Sequence, residues 1–234
     1  MNLWRGDDRP LLIGHRGAAA VAPENTLASL EAAVDAGADI VEFDVLPGLR
    51  LGHSVREAAA EPLALDDALA FLARHDVGVH LDLKHQGYER DVAVAVARHA
   101  LGERALVSTA FASIARRMRA AAPELPVAIG YPRDRLGVSK LRWPAPLPRT
   151  GAAAVRQAMP LRVPLLLCWA RATVLALHHT LCSRAAVATA HRLGAPVLAW
   201  TVNDEAALRC VVAAGVDGIV SDDPKTVLAT LTRL

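Results

Sequence analysis

The sequence predicts an α/β fold, a closed (β/α)8 barrel of the TIM type. Short apolar runs alternate with longer helix-forming segments along the whole chain, which is typical of a parallel sheet with crossover helices. The chain has 234 residues, a length that suits eight strand–helix units. No G-x-G-x-x-G turn follows a predicted strand, so nothing favours an open dinucleotide-binding sheet. We therefore expect one domain over residues 1–234.

The first two strands and the helix between them carry the clearest local signals. The apolar run at residues 11–14 predicts a buried strand that ends at His15. Pro23 and the acid after it are typical of a helix start, and Gly37 is typical of a helix end. Residues 40–45 then alternate in a way that predicts a second strand.

The remaining elements continue this alternation. Strands are predicted at residues 11–15, 39–45, 77–83, 105–109, 126–131, 172–178, 196–202 and 217–220. Helices are predicted at about 24–36, 64–75, 88–101, 111–122, 180–193, 204–214 and 224–233. Residues 132–172 contain six prolines and a basic stretch. Because proline at this density breaks helices, we expect a loop over the barrel mouth there, with one short helix near 151–158. A lid over an anionic substrate is the alternative to a solvated loop.

Ionisable side chains stand at the ends of the first two predicted strands. His15 and Arg16 end the first strand, and Glu42 and Asp44 lie two positions apart on the second. Strand side chains alternate, so both carboxylates point to one face, where they repel each other unless a cation lies between them. Oxygen ligands favour Mg²⁺, Ca²⁺ or Mn²⁺ over Zn²⁺. The pattern predicts a divalent metal site, with an exposed sheet edge as the alternative.

The sequence resembles the glycerophosphodiester phosphodiesterases in blocks that keep the family's order over nearly the whole chain. The blocks are His15-Arg16-Gly17, Pro23-Glu24-Asn25-Thr26, residues 36–45 (A-G-A-D-I-V-E-F-D-V), Gly52-His53, Leu81 to Lys84, residues 199–203 (A-W-T-V-N) and residues 215–224 (G-V-D-G-I-V-S-D-D-P). The resemblance implies a (β/α)8 barrel of the phosphodiesterase type and metal-dependent hydrolysis of glycerophosphodiesters to glycerol 3-phosphate and an alcohol. It implies that His15 and His53 share general acid and general base catalysis. It also implies that Glu42, Asp44 and Asp82 bind the metal.

The sequence departs from the family pattern in three places, of which the last concerns the substrate more than the chemistry. Ser54 follows the second histidine where the family usually has Asp, and Asp82 replaces the usual Glu. The usual insertion after the second histidine is reduced to residues 54–61. The pocket should therefore be more open than in the family. A bulkier phosphodiester such as a lysophospholipid, or a non-catalytic barrel that binds a phosphorylated ligand, remain as alternatives.

Further polar residues fall at predicted strand ends, where barrel enzymes place their chemistry. Arg16 and Lys84 are expected to bind the phosphate, although Lys84 could instead form a structural ion pair with Asp82. Trp200 is expected to wall the substrate pocket, with a core position as the alternative. Asp222 and the Asp-Pro pair after it are interpreted as a helix start, with no chemical role.

The composition excludes several other classes of protein. The formal net charge is +2, so bulk electrostatics indicate neither nucleic-acid nor membrane-surface binding. We expect no membrane span, because no apolar run reaches about 18 residues, and the polar N-terminus does not suggest a signal peptide. The three cysteines lack C-x-x-C spacing, so we expect reduced thiols in a cytoplasmic protein. The resemblance implies that its partner is a small-molecule phosphodiester.

Overall fold

The structure, a computed structural model, describes residues 2–6, 9–54, 61–132 and 147–234. Its strands are β1 (Leu11–Gly14), β2 (Ile40–Leu46), β3 (Arg50–Leu51), β4 (Gly78–Leu83), β5 (Ala105–Thr109), β6 (Val127–Tyr131), β7 (Val174–His178), β8 (Val197–Trp200) and β9 (Gly218–Ser221). All except β3 pair in parallel, in the order β1-β2-β4-β5-β6-β7-β8-β9, and β9 returns to β1. The predicted closed barrel is therefore confirmed in the described part of the chain.

Helices cover the outside of this barrel. They are α1 (Leu27–Asp35), α2 (Leu65–Leu72), α3 (Glu89–Arg98), α4 (Ala112–Ala121), α5 (Leu147–Ala170), α6 (Arg184–Arg192), α7 (Glu205–Ala214) and α8 (Pro224–Leu231). Each predicted strand and helix has a counterpart, with its ends moved by a few residues. Among the described residues, no helix combines the length and the apolar character that crossing a bilayer requires.

The first helix begins later than predicted. Its N-cap is Thr26, whose hydroxyl accepts a hydrogen bond from the Ser29 backbone while the Ser29 hydroxyl accepts one from the Thr26 backbone. This reciprocal pair satisfies two backbone donors at the helix start. Asn25 has a left-handed φ of 60°, which no helical residue adopts. The Pro23–Asn25 segment is therefore a loop, and its Asn25 belongs to the polar site described below.

The predicted loop at residues 132–172 is wrong for its second half, which is the long helix α5. Pro160 and Pro164 lie inside this helix. Each proline costs a helix about 3 kcal/mol. Met159, Val163 and Leu167 are buried against the barrel at the same time, and burying such side chains stabilises by roughly 1.5–3 kcal/mol each. Packing therefore outweighs the proline penalty. Residues 133–146 of the predicted lid lie outside the described residues.

The N-terminal segment closes the barrel interior at the end where the parallel strands begin. Leu3 is buried in one apolar cluster with Ile13, Ile40 and Leu106, which are interior residues of three strands. The buried Asp217 carboxylate accepts a hydrogen bond from the Arg5 backbone N–H and another from that of Val197. These contacts tie the first residues to β8 and the start of β9.

The hairpin after β2 is short. Val45 pairs with Leu51 and Leu46 with Arg50 in the antiparallel β2–β3 ladder. His53 follows this hairpin and is half-buried. The shortened connection at residues 54–61 lies mostly outside the described residues.

Candidate functional site

Three carboxylates meet at the C-terminal ends of β2 and β4. One ligand oxygen from each of Glu42, Asp44 and Asp82 lies within 4.8 Å of the others. The strand register explains this, because Asp44 pairs directly with Asp82 and all three side chains point into the barrel. Glu42 and Asp44 are 4% and 1% exposed, so water screens little of their mutual repulsion.

Two cations and one amide hold Asp44. The Lys84 ammonium lies 2.6 Å from Asp44 Oδ1 and also contacts Asp82. The Arg16 Nε lies 3.1 Å from Asp44 Oδ2, and the Asn25 amide donates to that same oxygen at 3.1 Å. Burial alone would raise the pKa of Asp44, but Lys84 and Arg16 outweigh it and lower this pKa to about 2. Asp44 is therefore a fixed anion.

Glu42 behaves differently from its neighbour. Burial, followed by the nearby Asp44 carboxylate, raises the pKa of Glu42 to about 7. Its Oε2 accepts a hydrogen bond of 2.7 Å from the Arg16 backbone N–H. A carboxylate whose ionised form is disfavoured by a neighbouring carboxylate gains most from a divalent cation placed between them. This all-oxygen donor set fits a hard divalent metal.

Asp82 is positioned by a residue that sequence reasoning did not single out. The Ser108 hydroxyl on β5 donates to Asp82 Oδ1 at 2.7 Å, and the two residues are direct partners in the β4–β5 ladder. Lys84 contacts the other carboxylate oxygen. Each oxygen of Asp82 is thus held by its own partner, one on β5 and one at the end of β4. Lys84 contacts two carboxylates, in line with the ion-pair alternative for this residue.

A tight turn after β1 explains the His-Arg-Gly sequence. Gly17 has a φ of 83°, and a Cβ atom there would lie 2.4 Å from the backbone of Ser29. Arg16 also has a left-handed φ, of 51°, which is uncommon outside glycine. The turn brings the Arg16 backbone to Glu42 and its guanidinium to Asp44 and Glu24.

His15 lies beside the carboxylates and is held by the last strand of the barrel. Its Nδ1 lies 2.5 Å from Asp222 Oδ1, and the Asn203 amide donates to Asp222 Oδ2 at 2.5 Å. Burial disfavours a charged imidazole, but the Asp222 hydrogen bond and the Glu42 charge outweigh it, so the pKa of His15 is raised. The same partnership lowers the pKa of Asp222 against the opposing effect of burial.

The predicted helix start at the chain's end is half correct. Asp223 is the N-cap of α8, because its side chain accepts from the Thr226 backbone, and Pro224 opens that helix. Asp222 instead contacts His15, which the sequence analysis missed. The signal that could have found it is the closure of the barrel, since β9 pairs with β1.

His15 and His53 line two neighbouring clefts that share Glu24. The first cleft, of about 580 Å³, is lined by His15, Arg16, Ala19, Ala20, Glu24, Asn203, Asp222 and Asp223. The second, of about 210 Å³, is lined by Glu24, Asn25, Thr26, Leu27, Leu51, Gly52, His53, Glu61, Pro62 and Leu63. Trp200 is half-buried at the end of β8, and its ring lies edge-on to His178 at 5.3 Å.

Comparison with known proteins identifies the family. The sequence profile of the glycerophosphoryl diester phosphodiesterase family matches residues 15–46 and 79–226. The chain belongs to this family. The *Bacillus subtilis* (strain 168) protein YhdW, which is named as a glycerophosphodiester phosphodiesterase, is 25% identical over 93% of this chain and 96% of its own length.

Solved structures of similar proteins have the same fold. One from *Silicibacter pomeroyi* has a TM-score of 0.76 at 21% identity and covers 99% of this chain and 96% of its own. A glycerophosphodiester phosphodiesterase from *Parabacteroides distasonis* has a TM-score of 0.74 at 20% identity, with 97% and 99% covered. An *Oleispira antarctica* phosphodiesterase in complex with the product sn-glycerol-3-phosphate has a TM-score of 0.69 at 20% identity, with 95% and 97% covered.

The glycerophosphoryl diester phosphodiesterase match contains an informative gap. It includes His15 and all three carboxylates, but it omits residues 47–78, which contain His53 and the shortened connection. The match therefore covers His15 and the carboxylate cluster and leaves out one side of the second cleft. Divalent metal dependence is a property of this family, and the acidic cluster here could bind such an ion.

Proposed function

We propose that this protein hydrolyses glycerophosphodiesters to sn-glycerol 3-phosphate and an alcohol. The observation that carries the proposal is the carboxylate cluster beside the His15–Asp222 pair, in a barrel of the glycerophosphoryl diester phosphodiesterase family. The sn-glycerol-3-phosphate in the *Oleispira antarctica* structure supports this class of product.

Glu42, Asp44 and Asp82 are the residues proposed to hold Mg²⁺ or Ca²⁺, with Mn²⁺ as a further candidate. When bound, such an ion supplies positive charge that stabilises phosphoryl oxygens. Arg16 and Lys84 carry further positive charge at the same site, so their proposed role is to compensate the charge of the phosphate. Trp200 is proposed as an apolar wall of the substrate site.

We assign the role of general base, the group that removes a proton during hydrolysis, to His15. Asp222 engages Nδ1, which leaves Nε2 as the atom that can exchange a proton with substrate. The raised pKa of His15 strengthens it as a base. His53 is the candidate general acid, and its cleft adjoins that of His15.

The decisive experiment measures hydrolysis of glycerophosphocholine, glycerophosphoethanolamine and glycerophosphoglycerol, with enzymatic detection of released glycerol 3-phosphate. We expect activity with Mg²⁺, Ca²⁺ or Mn²⁺ and its loss in EDTA. His15→Ala and His53→Ala should each lower turnover by about 10²- to 10⁴-fold. His75→Ala, which alters a histidine at the end of α2, serves as the matched control. If no diester is hydrolysed although calorimetry detects bound metal, the barrel is a binding protein.

The segment around His53 that the family profile does not match favours a second candidate substrate class. The family profile does not match residues 47–78, and two clefts adjoin at Glu24. This arrangement gives room for a bulkier diester, so lysophosphatidylcholine belongs in the panel, with choline release as its readout. An open site offers few polar contacts to small head groups, so we expect weak discrimination among the three small diesters. Strong preference for one of them would contradict the open site.

A further inference from the structure

A row of large apolar side chains faces solvent on the C-terminal half of α5. Leu161, Leu165 and Trp169 are 79%, 70% and 67% exposed. They are spaced four residues apart, so they form one continuous ridge on the helix surface. We call these three residues the α5 ridge.

The opposite side of the same helix segment is also apolar. Met159, Val163, Leu167 and Ala170 are buried against the barrel. Arg162 is the single charged residue between positions 158 and 170. A helix that is apolar all round is normally covered all round. In the described structure the barrel covers only one side of α5, so the ridge indicates a partner.

The helix that carries the ridge and its two neighbours have basic but no acidic side chains. All 24 acidic residues of the chain lie outside residues 135–203, whereas nine of the 26 basic residues lie inside that span. The neighbouring helices α4 and α6 pack on α5 and contain no Asp or Glu. Exposed arginines on and beside these helices include Arg117, Arg162 and Arg171. The net charge of +2 for the chain conceals this segregation.

Trp169 joins the apolar and basic parts of this surface. The Arg116 guanidinium lies 5.9 Å from the centre of the Trp169 ring and donates to the Trp169 carbonyl at 2.8 Å. Arg162 similarly contacts the ring of Tyr131. Tryptophan next to arginine is a pairing that suits the boundary between lipid head groups and acyl chains, and here it joins α5 to α4.

We propose that the α5 ridge and its surrounding arginines dock the protein on an anionic lipid surface. The arginines face acidic head groups and the three apolar side chains enter the boundary beneath them. A second copy of the chain is disfavoured, because a two-fold pairing of this face would bring like charges together. A ridge on the convex outside of a barrel also suits a flat, deformable surface better than an anchor pocket on a protein.

Vesicle sedimentation of the full-length chain tests this docking without using the catalytic activity. We expect binding to vesicles of 70:30 phosphatidylcholine:phosphatidylglycerol, and much weaker binding to pure phosphatidylcholine or in 0.5 M NaCl. The triple variant Leu161→Gln/Leu165→Gln/Trp169→Gln should lower the partition coefficient about tenfold or more. Its circular dichroism and melting temperature establish that it remains folded.

Matched single variants separate the ridge from general apolar exposure. Leu165→Gln should weaken binding measurably, whereas Val94→Gln on α3, where Val94 is 52% exposed, should not. Likewise Arg162→Glu, next to the ridge on α5, should weaken binding and Arg90→Glu on α3 should not. No binding to acidic vesicles, or equal effects of each pair, would overturn the proposal.

Two further results would assign the surface to another partner. A dimer in light scattering that the triple variant converts to a monomer would indicate a second copy of the chain. Retention on immobilised polyglutamate that depends on the same three apolar residues, together with no vesicle binding, would indicate an acidic protein. Either result would overturn the lipid proposal.

Discussion

The Nδ1 atom of His15 lies 2.5 Å from Oδ1 of Asp222, although the two residues are 207 positions apart in the sequence. The contact joins the end of β1 to the end of β9. It fixes the ring orientation of His15 next to the carboxylate cluster, and Asn203 in turn fixes Asp222.

The variant Asp222→Asn tests whether Asp222 positions His15 or contributes to substrate binding. The amide keeps the size of the side chain but removes the charge that stabilises the His15 imidazolium. We expect kcat to fall about 10- to 100-fold with little change in KM. The pKa of His15 should also fall, so the acidic limb of the pH–rate profile should move to lower pH. Asp223→Asn is the matched control, because Asn also caps helices well, and an equal loss in both variants would contradict the positioning role.

Ser108→Ala tests whether Asp82 belongs to the metal site. Loss of the hydroxyl frees one oxygen of Asp82 from its hydrogen bond. The metal concentration for half-maximal activity should rise about tenfold, and calorimetric metal affinity should fall equally. Ser183→Ala removes the side-chain cap of α6 and should cost about 1 kcal/mol of stability without altering metal affinity. Unchanged affinity in Ser108→Ala would argue against Asp82 as a ligand.

Lys84→Met should destabilise the protein in a way that metal partly reverses. The variant leaves buried Asp44 with less compensation, and breaking such a pair costs about 3 kcal/mol. A divalent cation at the carboxylates would replace the lost charge. The metal-induced rise in melting temperature should therefore be larger than in the wild-type protein. Lys225→Met alters an exposed lysine and should change neither quantity; if the two variants behave alike, Lys84 is not a structural partner of Asp44.

His178 should make folding stability depend on pH. Burial, and then the neighbouring His179, lower the pKa of His178 to about 4. The unfolded chain protonates this imidazole near its usual pKa of about 6.5. Protons therefore bind the unfolded state first, and the free energy of unfolding should fall as pH drops from about 6.5 toward 4. Urea titrations of His178→Gln should give a shallower slope over that window, and an unchanged slope would exclude this residue as its source.

Strand periodicity was sufficient to predict most of the carboxylate cluster. Glu42 and Asp44 share a face because they lie two apart on one strand, and this local rule needs no tertiary information. The joining of Asp82 to them followed from the family resemblance, and the β2–β4 register accounts for it.

Contacts that depend on barrel closure could not be predicted in the same way. The sequence around Asp222 predicts a helix cap, but the residue that caps α8 is Asp223. The contact between Asp222 and His15 arises only because β9 pairs with β1. Ser108 likewise gave no local signal, because its role depends on its register with Asp82 across the β4–β5 ladder.

The prediction of a loop where the structure has α5 was wrong, because packing against the barrel outweighs the helix-breaking effect of proline. Proline density favoured a loop, but residues spaced at helical intervals bury one side of α5 on the barrel. The local cost of Pro160 and Pro164 could be read from the sequence, whereas the stabilisation from burial required knowledge of the surface beneath.

The pairing of β1 with β9 has a consequence for how the polypeptide matures. A growing chain that has not yet produced Gly218–Ser221 lacks the hydrogen-bonding partner of Leu11–Gly14, and Arg5 lacks the Asp217 carboxylate. Both edges of the incomplete sheet then stay unpaired, which is the condition that promotes association between chains. Ring closure of this enzyme therefore has to wait for the synthesis of Gly218–Ser221, and one edge of β1 stays open to other chains until then.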